Sequence, residues 1–245
     1  MFEKNCLKYQ RMNNRNRITE RPENIPYHQG YFSFIRQFPL FLSLFLTCLG
    51  VGLILSIYSS QATLFLAINQ LHRDAADQVF MAITHLGDWP ATLLLAGLFL
   101  FVNWRYSFSL ISTMLYTGLF THLLKPLLRH PRPAVYFHDR ETIYTLPHYV
   151  MENSLSFPSG HTTCVFSLAI TLSFLFRGQA RQIAFFLLAL TVAFSRVYLA
   201  QHFFKDLLAG ATIGTFAGLH LLWLFDRSAW YHRPAFNSNL IKFFK

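Results

Sequence analysis

Ser195-Arg196-Val197-Tyr198-Leu199-Ala200-Gln201-His202-Phe203-Phe204-Lys205-Asp206 places a histidine and an aspartate four residues apart between two long apolar stretches. At helical spacing such residues share a face. A carboxylate at Asp206 could then accept the N–H of one His202 ring nitrogen and leave the other as a base or nucleophile. Arg196, six residues before the histidine, offers planar and permanently charged donors to an anion. The stretch alone reads equally well as a satisfied histidine with cations snorkelling at membrane-helix ends.

Composition points to the membrane. The chain is 53% hydrophobic, 17% aromatic and only 13% charged, which excludes an ordinary soluble protein. A net charge of +10 could mark a nucleic-acid binder. No basic run interleaved with aromatics, zinc spacing or recognition-helix pattern accompanies it, so no nucleic-acid partner is expected. Cys6, Cys48 and Cys164 form neither a CxxC site nor an obvious disulfide framework.

Residues 1–37 read as a basic, proline-interrupted tail. The apolar stretch 38–58 is long enough to cross roughly 30 Å of hydrocarbon. Residues 60–86 carry apolar positions near helical spacing, broken by Arg73, Asp74 and Asp77. They read either as an amphipathic interfacial segment or as a partly buried external hairpin. Gly87-Asp88-Trp89-Pro90 breaks that helix and starts the next span. Further spans are expected at about 89–104, 107–128, 161–176, 183–199 and 206–225. The expected fold is thus all-α: a six-span bundle over residues 38–225 with an interfacial segment, followed by a basic tail at 226–245. With the amino terminus inside, 14 of the 21 Lys and Arg residues fall on the inner side. Positive-inside bias then puts both termini in the cytoplasm and the outer ends of the spans on the extracytoplasmic face.

Two more clusters lie at span ends. Lys125-Pro126-Leu127-Leu128-Arg129-His130-Pro131-Arg132-Pro133 is a helix end running into a stiff loop that holds Lys125 and Arg132. Taken alone it also reads as the basic flank of a span. Pro158-Ser159-Gly160-His161 opens the fourth span with a hydroxyl, free backbone N–H groups and a glycine that admits close approach, an anion site in its own right. Taken alone it is equally a capping turn. Chain alternation puts all three clusters on one membrane face, whichever way the chain inserts.

Lys125 with six residues to Arg132-Pro133, then Pro158-Ser159-Gly160-His161, then Ser195-Arg196 with five residues to His202 and three more to Asp206, resembles the three-part signature of the type 2 phosphatidic acid phosphatase and vanadium haloperoxidase superfamily. The match runs from Lys125 to Asp206, and the spans agree with the integral-membrane lipid phosphatase branch. The resemblance implies that His202 attacks phosphorus and forms a phosphohistidine, with Asp206 fixing its tautomer. His161 would protonate the leaving oxygen and then help to activate water. Lys125, Arg132, Ser159, the Gly160 amide and Arg196 would hold the phosphoryl oxygens. No metal or other cofactor is expected. His122, three residues before Lys125 on the same helical face, reads as a supporting or merely packed histidine.

The leading expectation is a lipid phosphate or diphosphate phosphatase of the inner membrane. Undecaprenyl diphosphate, lipid A phosphates, phosphatidylglycerophosphate and phosphatidate are its candidate substrates. The alternatives are a lipid-to-lipid phosphotransferase, a haloperoxidase, and a non-catalytic transporter or scaffold that keeps the phosphate site.

Overall fold

The computed structural model describes residues 30–147, 149, 151 and 155–243. Residues 1–29 of the basic tail, with Cys6, lie outside the described residues, as do His148 and Lys245. Among the described residues eleven α-helices run in chain order: α1 Tyr31–Ile35, α2 Pro39–Tyr58, α3 Gln61–Asn69, α4 Asp74–Thr84, α5 Trp89–Leu100, α6 Trp104–Leu128, α7 Pro133–Phe137, α8 Gly160–Leu175, α9 Gln179–Tyr198, α10 Phe204–Arg227 and α11 Leu240–Phe243. No strand occurs among the described residues.

Helix α8 is the axis of the bundle, wrapped by α6, α9 and α10, with α5 and the turn before it closing the side. Its hydroxyls remain inside because each finds an acceptor. Thr171 Oγ1 lies 2.9 Å from Thr113 Oγ1 of α6 and also reaches the Ser167 carbonyl at 2.7 Å. Against α10 the approach is closer still. A Cβ on Gly210 would stand 2.6 Å from the Ser159 carbonyl oxygen, one on Gly214 2.5 Å from that of Thr163, and one on Gly218 2.9 Å from Ile170 Cγ2. This small-residue ladder lets the backbones of α8 and α10 touch, the packing that helices in lipid use where hydrophobic burial offers no drive. It brings the two helix starts, with Ser159 and Asp206, to one place.

Among the described residues four helical segments are long and apolar enough to cross a membrane: Pro39–Tyr58, Trp104–Phe137, Gln179–Tyr198 and Phe204–Arg227. A fifth is present if Asp74–Gly87 and Trp89–Leu100, bent by 61°, count as one broken span. The protein is therefore a polytopic all-helical membrane protein, but six full-length spans are not seen. The expected spans at 89–104 and 161–176 are the short ones: α5 has 12 residues and α8 has 16. Sixteen residues rise about 24 Å, short of the roughly 30 Å hydrocarbon core. A helix enclosed by protein needs no such length, and α8 has neighbours on all sides.

Two segments are more integrated than their composition suggests. Residues 31–37, assigned above to the tail, carry α1, and its Phe34 is fully buried 5.8 Å from Phe174. In residues 226–245, Tyr231 is buried, stacks on Phe225 and sets its hydroxyl 2.6 Å from Ser109 Oγ. Residues 60–86 form the α3–α4 hairpin, which is partly buried. Asp77 of α4 accepts from Tyr198 of α9 at 2.5 Å and from Tyr144 at 3.0 Å. Leu71 and Val79 remain exposed.

Candidate active site

The end of α9 sets the geometry. Ala200 takes a left-handed conformation, φ 55°, and the N–H groups of Gln201 and His202 both donate to the Arg196 carbonyl, at 2.9 and 3.2 Å. A non-glycine residue in this region costs about 1–2 kcal/mol. The reversal delivers His202 two residues ahead of α10, so His202 and Asp206 do not share a helical face as the spacing suggested. Asp206 instead sits in the first turn of α10, where its Oδ2 accepts from the Phe203 N–H at 2.9 Å. His202 Nδ1 still lies 3.4 Å from that same oxygen.

A residue that the sequence did not reveal stands between them. Ser156 Oγ donates to Asp206 Oδ2 at 2.5 Å and lies 3.2 Å from His202 Nδ1. One hydroxyl proton goes to the carboxylate, so toward the imidazole the oxygen acts as acceptor. The proton of neutral His202 is thereby placed on Nδ1 and the lone pair on Nε2. Ser156 is fixed from behind by its own N–H donating to the His130 carbonyl, 2.8 Å. Nothing in a Leu-Ser-Phe loop announces this; 46 residues separate it from His202.

Nε2 of His202 faces Arg132, 3.5 Å from Nη1, which also donates to the carbonyl and Oε1 of Gln201 at 3.1 and 3.2 Å. His202 is only 1% exposed. Burial first, then the charges of Arg132 and Arg196, push it down to about 3 against the opposing pull of Asp206. It is a neutral imidazole at any physiological pH.

The remaining expected residues divide. Ser159 is fully buried as the N-cap of α8, with Oγ accepting from Thr162 Oγ1 at 2.9 Å and its N–H donating to the Asp206 carbonyl at 3.1 Å. Gly160 follows with open space where a side chain would stand. Arg196 is 2% exposed, and its Nη1 donates to Thr84 Oγ1 at 2.7 Å and Tyr149 Oη at 3.0 Å. Among the described residues its Nε and Asp206 Oδ1 are buried without a partner. Lys125 lies half-buried in the last turn of α6, on the segment that leads to Arg132. His161, at the start of α8, has its Nε2 2.5 Å from Asp88 Oδ1. A cavity of about 830 Å³ between α5, α6 and α8 has Asp88, His161 and His122 on its wall, with Leu93, Met114 and Leu115 along it. His202 does not line it.

The geometry is that of a group-transfer site for an oxyanion: an oriented neutral imidazole facing guanidinium, with a hydroxyl-capped helix start beside it. The sequence pattern of the PAP2 superfamily matches residues 85–230. The chain belongs to that superfamily. It is 26% identical over 179 residues to the lipid A 4'-phosphatase of Porphyromonas gingivalis, covering 69% of this chain and 75% of that protein. It is 29% identical over 162 residues to the undecaprenyl-diphosphatase BcrC of Bacillus subtilis, covering 63% and 79%. Its fold is similar to the crystal structure of Aquifex aeolicus LpxE, with TM-score 0.59, 26% identity, and coverage of 66% of this chain and 93% of that one.

Proposed function

We infer that the protein is an integral-membrane phosphatase that removes phosphate from a lipid phosphomonoester or diphosphate through a phosphohistidine. The observation that carries this is the His202 relay, with Nδ1–H held through Ser156 to Asp206 and Nε2 turned to Arg132. Nε2 attacks phosphorus as the bond to the leaving oxygen breaks, and His161 gives that oxygen its proton. Water then attacks the phosphohistidine, its proton passes to His161, the N–P bond breaks and inorganic phosphate leaves. Developing charge on the imidazolium is met by Asp206. Charge on the phosphoryl oxygens is met by Arg132, Arg196 through its buried Nε, Lys125, Ser159 and the Gly160 amide.

The substrate class comes from the relatives and from the cavity. Those relatives act on lipid A and on undecaprenyl diphosphate. Here an apolar channel along α5 and α6 begins at His161, as a head group trailing a hydrocarbon chain requires. Lipid A phosphates and undecaprenyl diphosphate are the leading candidates, ahead of phosphatidylglycerophosphate and phosphatidate. The purified protein, assayed on these four lipids with and without EDTA, should release phosphate undiminished by the chelator. Loss with EDTA that added divalent ion restores would refute the metal-free scheme, and release only with a second lipid as acceptor would make it a phosphotransferase.

We place both termini in the cytoplasm, with α5 and α8 as short fifth and sixth crossings, a basic tail that ends before α1, and the site on the extracytoplasmic face. The support is the positive-inside distribution of Lys and Arg. Val135 is exposed in α7, close behind Arg132. A Val135→Cys variant with the three native cysteines replaced should react with an impermeant thiol reagent in intact spheroplasts. Labelling only after permeabilisation would reverse the orientation.

A further inference from the structure

The turn that joins α4 to α5 is packed against Val192 of α9 and His161 of α8. Its first residue, Thr84, accepts from Arg196 Nη1 at 2.7 Å. Gly87 is packed so tightly that a Cβ would stand 2.9 Å from Val192 Cγ1 and 3.2 Å from the His161 carbonyl oxygen. Asp88 follows, with Oδ1 2.5 Å from His161 Nε2 and Oδ2 3.0 Å from His85 Nδ1. A carboxylate engaged at both oxygens, on a turn wedged against α8 and α9, has little freedom to move.

We propose that Asp88 is the positioning residue of His161, holding its Nε2–H so that the proton exchanged with the leaving oxygen is the one on Nδ1. The site would then contain two carboxylate–histidine pairs with opposite tasks. In one, Ser156 is interposed before Asp206, and the buried ring stays neutral as a nucleophile. In the other, the carboxylate touches the ring directly, with the His161 side chain 22% exposed, which favours the imidazolium that a general acid must be. The inference rests on the reading of His161 as the acid, and it names what makes that ring an acid.

The elements packed around His161 bring several other titratable or charged groups. They are His85 on the same turn, His122 and Lys125 on α6, Arg196 on α9, and His202 with Asp206 at the start of α10. A shift in the pH profile therefore has to be shown to depend on Asp88 and on the leaving group together.

Two substrates with the same chain separate the cases: dodecyl phosphate, whose alkoxide must be protonated to leave, and 4-dodecyl-2-nitrophenyl phosphate, whose phenolate leaves unaided. Asp88→Asn should lower kcat/KM, which ends at departure of the leaving group and excludes the shared hydrolysis of the phosphohistidine, about 100-fold for the alkyl ester and about 3-fold or less for the aryl ester. The alkaline limb of kcat/KM for the alkyl ester should move to lower pH, because loss of the carboxylate lets the imidazolium give up its proton earlier. Asp88→Glu should recover part of the loss. Retained turnover of the aryl ester shows in the same sample that the variant is folded. Equal losses on both esters, or an unmoved alkaline limb, would overturn the role of Asp88 while His161→Ala still showed the leaving-group dependence. If His161→Ala itself spares the alkyl ester, the acid assignment fails and this inference with it.

Discussion

Replacing His202 by glutamine is expected to lower phosphate release by at least about 10⁴-fold, since it removes the imidazole lone pair proposed to attack phosphorus. Glutamine approximates the volume and keeps a polar head between Ser156 and Arg132, so the bundle should survive. Its thermal stability against pH serves as the control. The folded protein holds His202 neutral down to about 3. An unfolded chain protonates it near 6.5. Above 6.5 neither state binds this proton, and the group makes no difference to stability. As pH falls from 6.5 toward 3 the unfolded chain takes up a proton that the folded one refuses, so the wild type is progressively destabilised. His202→Gln lacks that contribution, and its melting temperature should fall less steeply between pH 7 and pH 4. Turnover near the wild-type level would sink the assignment of the nucleophile, and parallel melting curves would show that His202 is not buried neutral. Asp206→Asn should be less severe, because the phosphoryl contacts proposed for Arg132 and Ser159 remain.

The residues gathered around His202 were legible in the sequence because each motif joins a polar or charged residue to the local feature that places it. Arg132 stands before a proline, Ser159 before a glycine that opens a helix, and His202 four residues before an aspartate. What stayed hidden are contacts made across the chain by residues whose local setting is ordinary. Ser156 is a loop serine until it lies between His202 and Asp206. Asp88 reads as a helix breaker, and its bond to His161, 73 positions on, has no sequence correlate. His202 and Asp206 come within 3.4 Å of each other without sharing a helical face, since the left-handed Ala200 ends α9 before the histidine.

Span number was less legible for a related reason. Hydropathy measures what lipid would accept, whereas α8 meets other helices. Its threonines and serines bond to its own turns and to Thr113, which a hydropathy reading counts only as lost apolarity. One signal was available and unused: Gly210, Gly214 and Gly218 recur every fourth residue along α10, the small-residue stripe of closely packed membrane helices. It would have indicated that this helix carries a close partner, and hence that the site is built where two helix starts converge.

Filling the apolar channel is expected to separate long-chain from short-chain substrates. Gly118 lines the cavity on α6, and no atom lies within 4 Å of where its Cβ would stand, so a Gly118→Phe side chain enters the channel and not the bundle. The gain from a tail in this channel is not hydrophobic transfer, because a tail that leaves the bilayer for an apolar groove was already out of water. What the channel supplies is confinement: the head group is held near His161 and His202, and its orientation for in-line attack is set by the chain behind it. For the wild type, kcat/KM at fixed surface concentration should therefore exceed that of a soluble short-chain analogue with the same head group by about 100-fold or more. Gly118→Phe should remove most of that advantage by reducing kcat/KM on the long chain, while the short analogue, which never occupied the channel, is turned over as before. The comparison is to be made in detergent micelles and again in proteoliposomes, since partitioning differs between them and channel occupancy does not. Equal efficiency of long and short substrates with the wild type in both settings would mean that the substrate reaches His202 from water, and the protein would then be a phosphatase of small soluble phosphates.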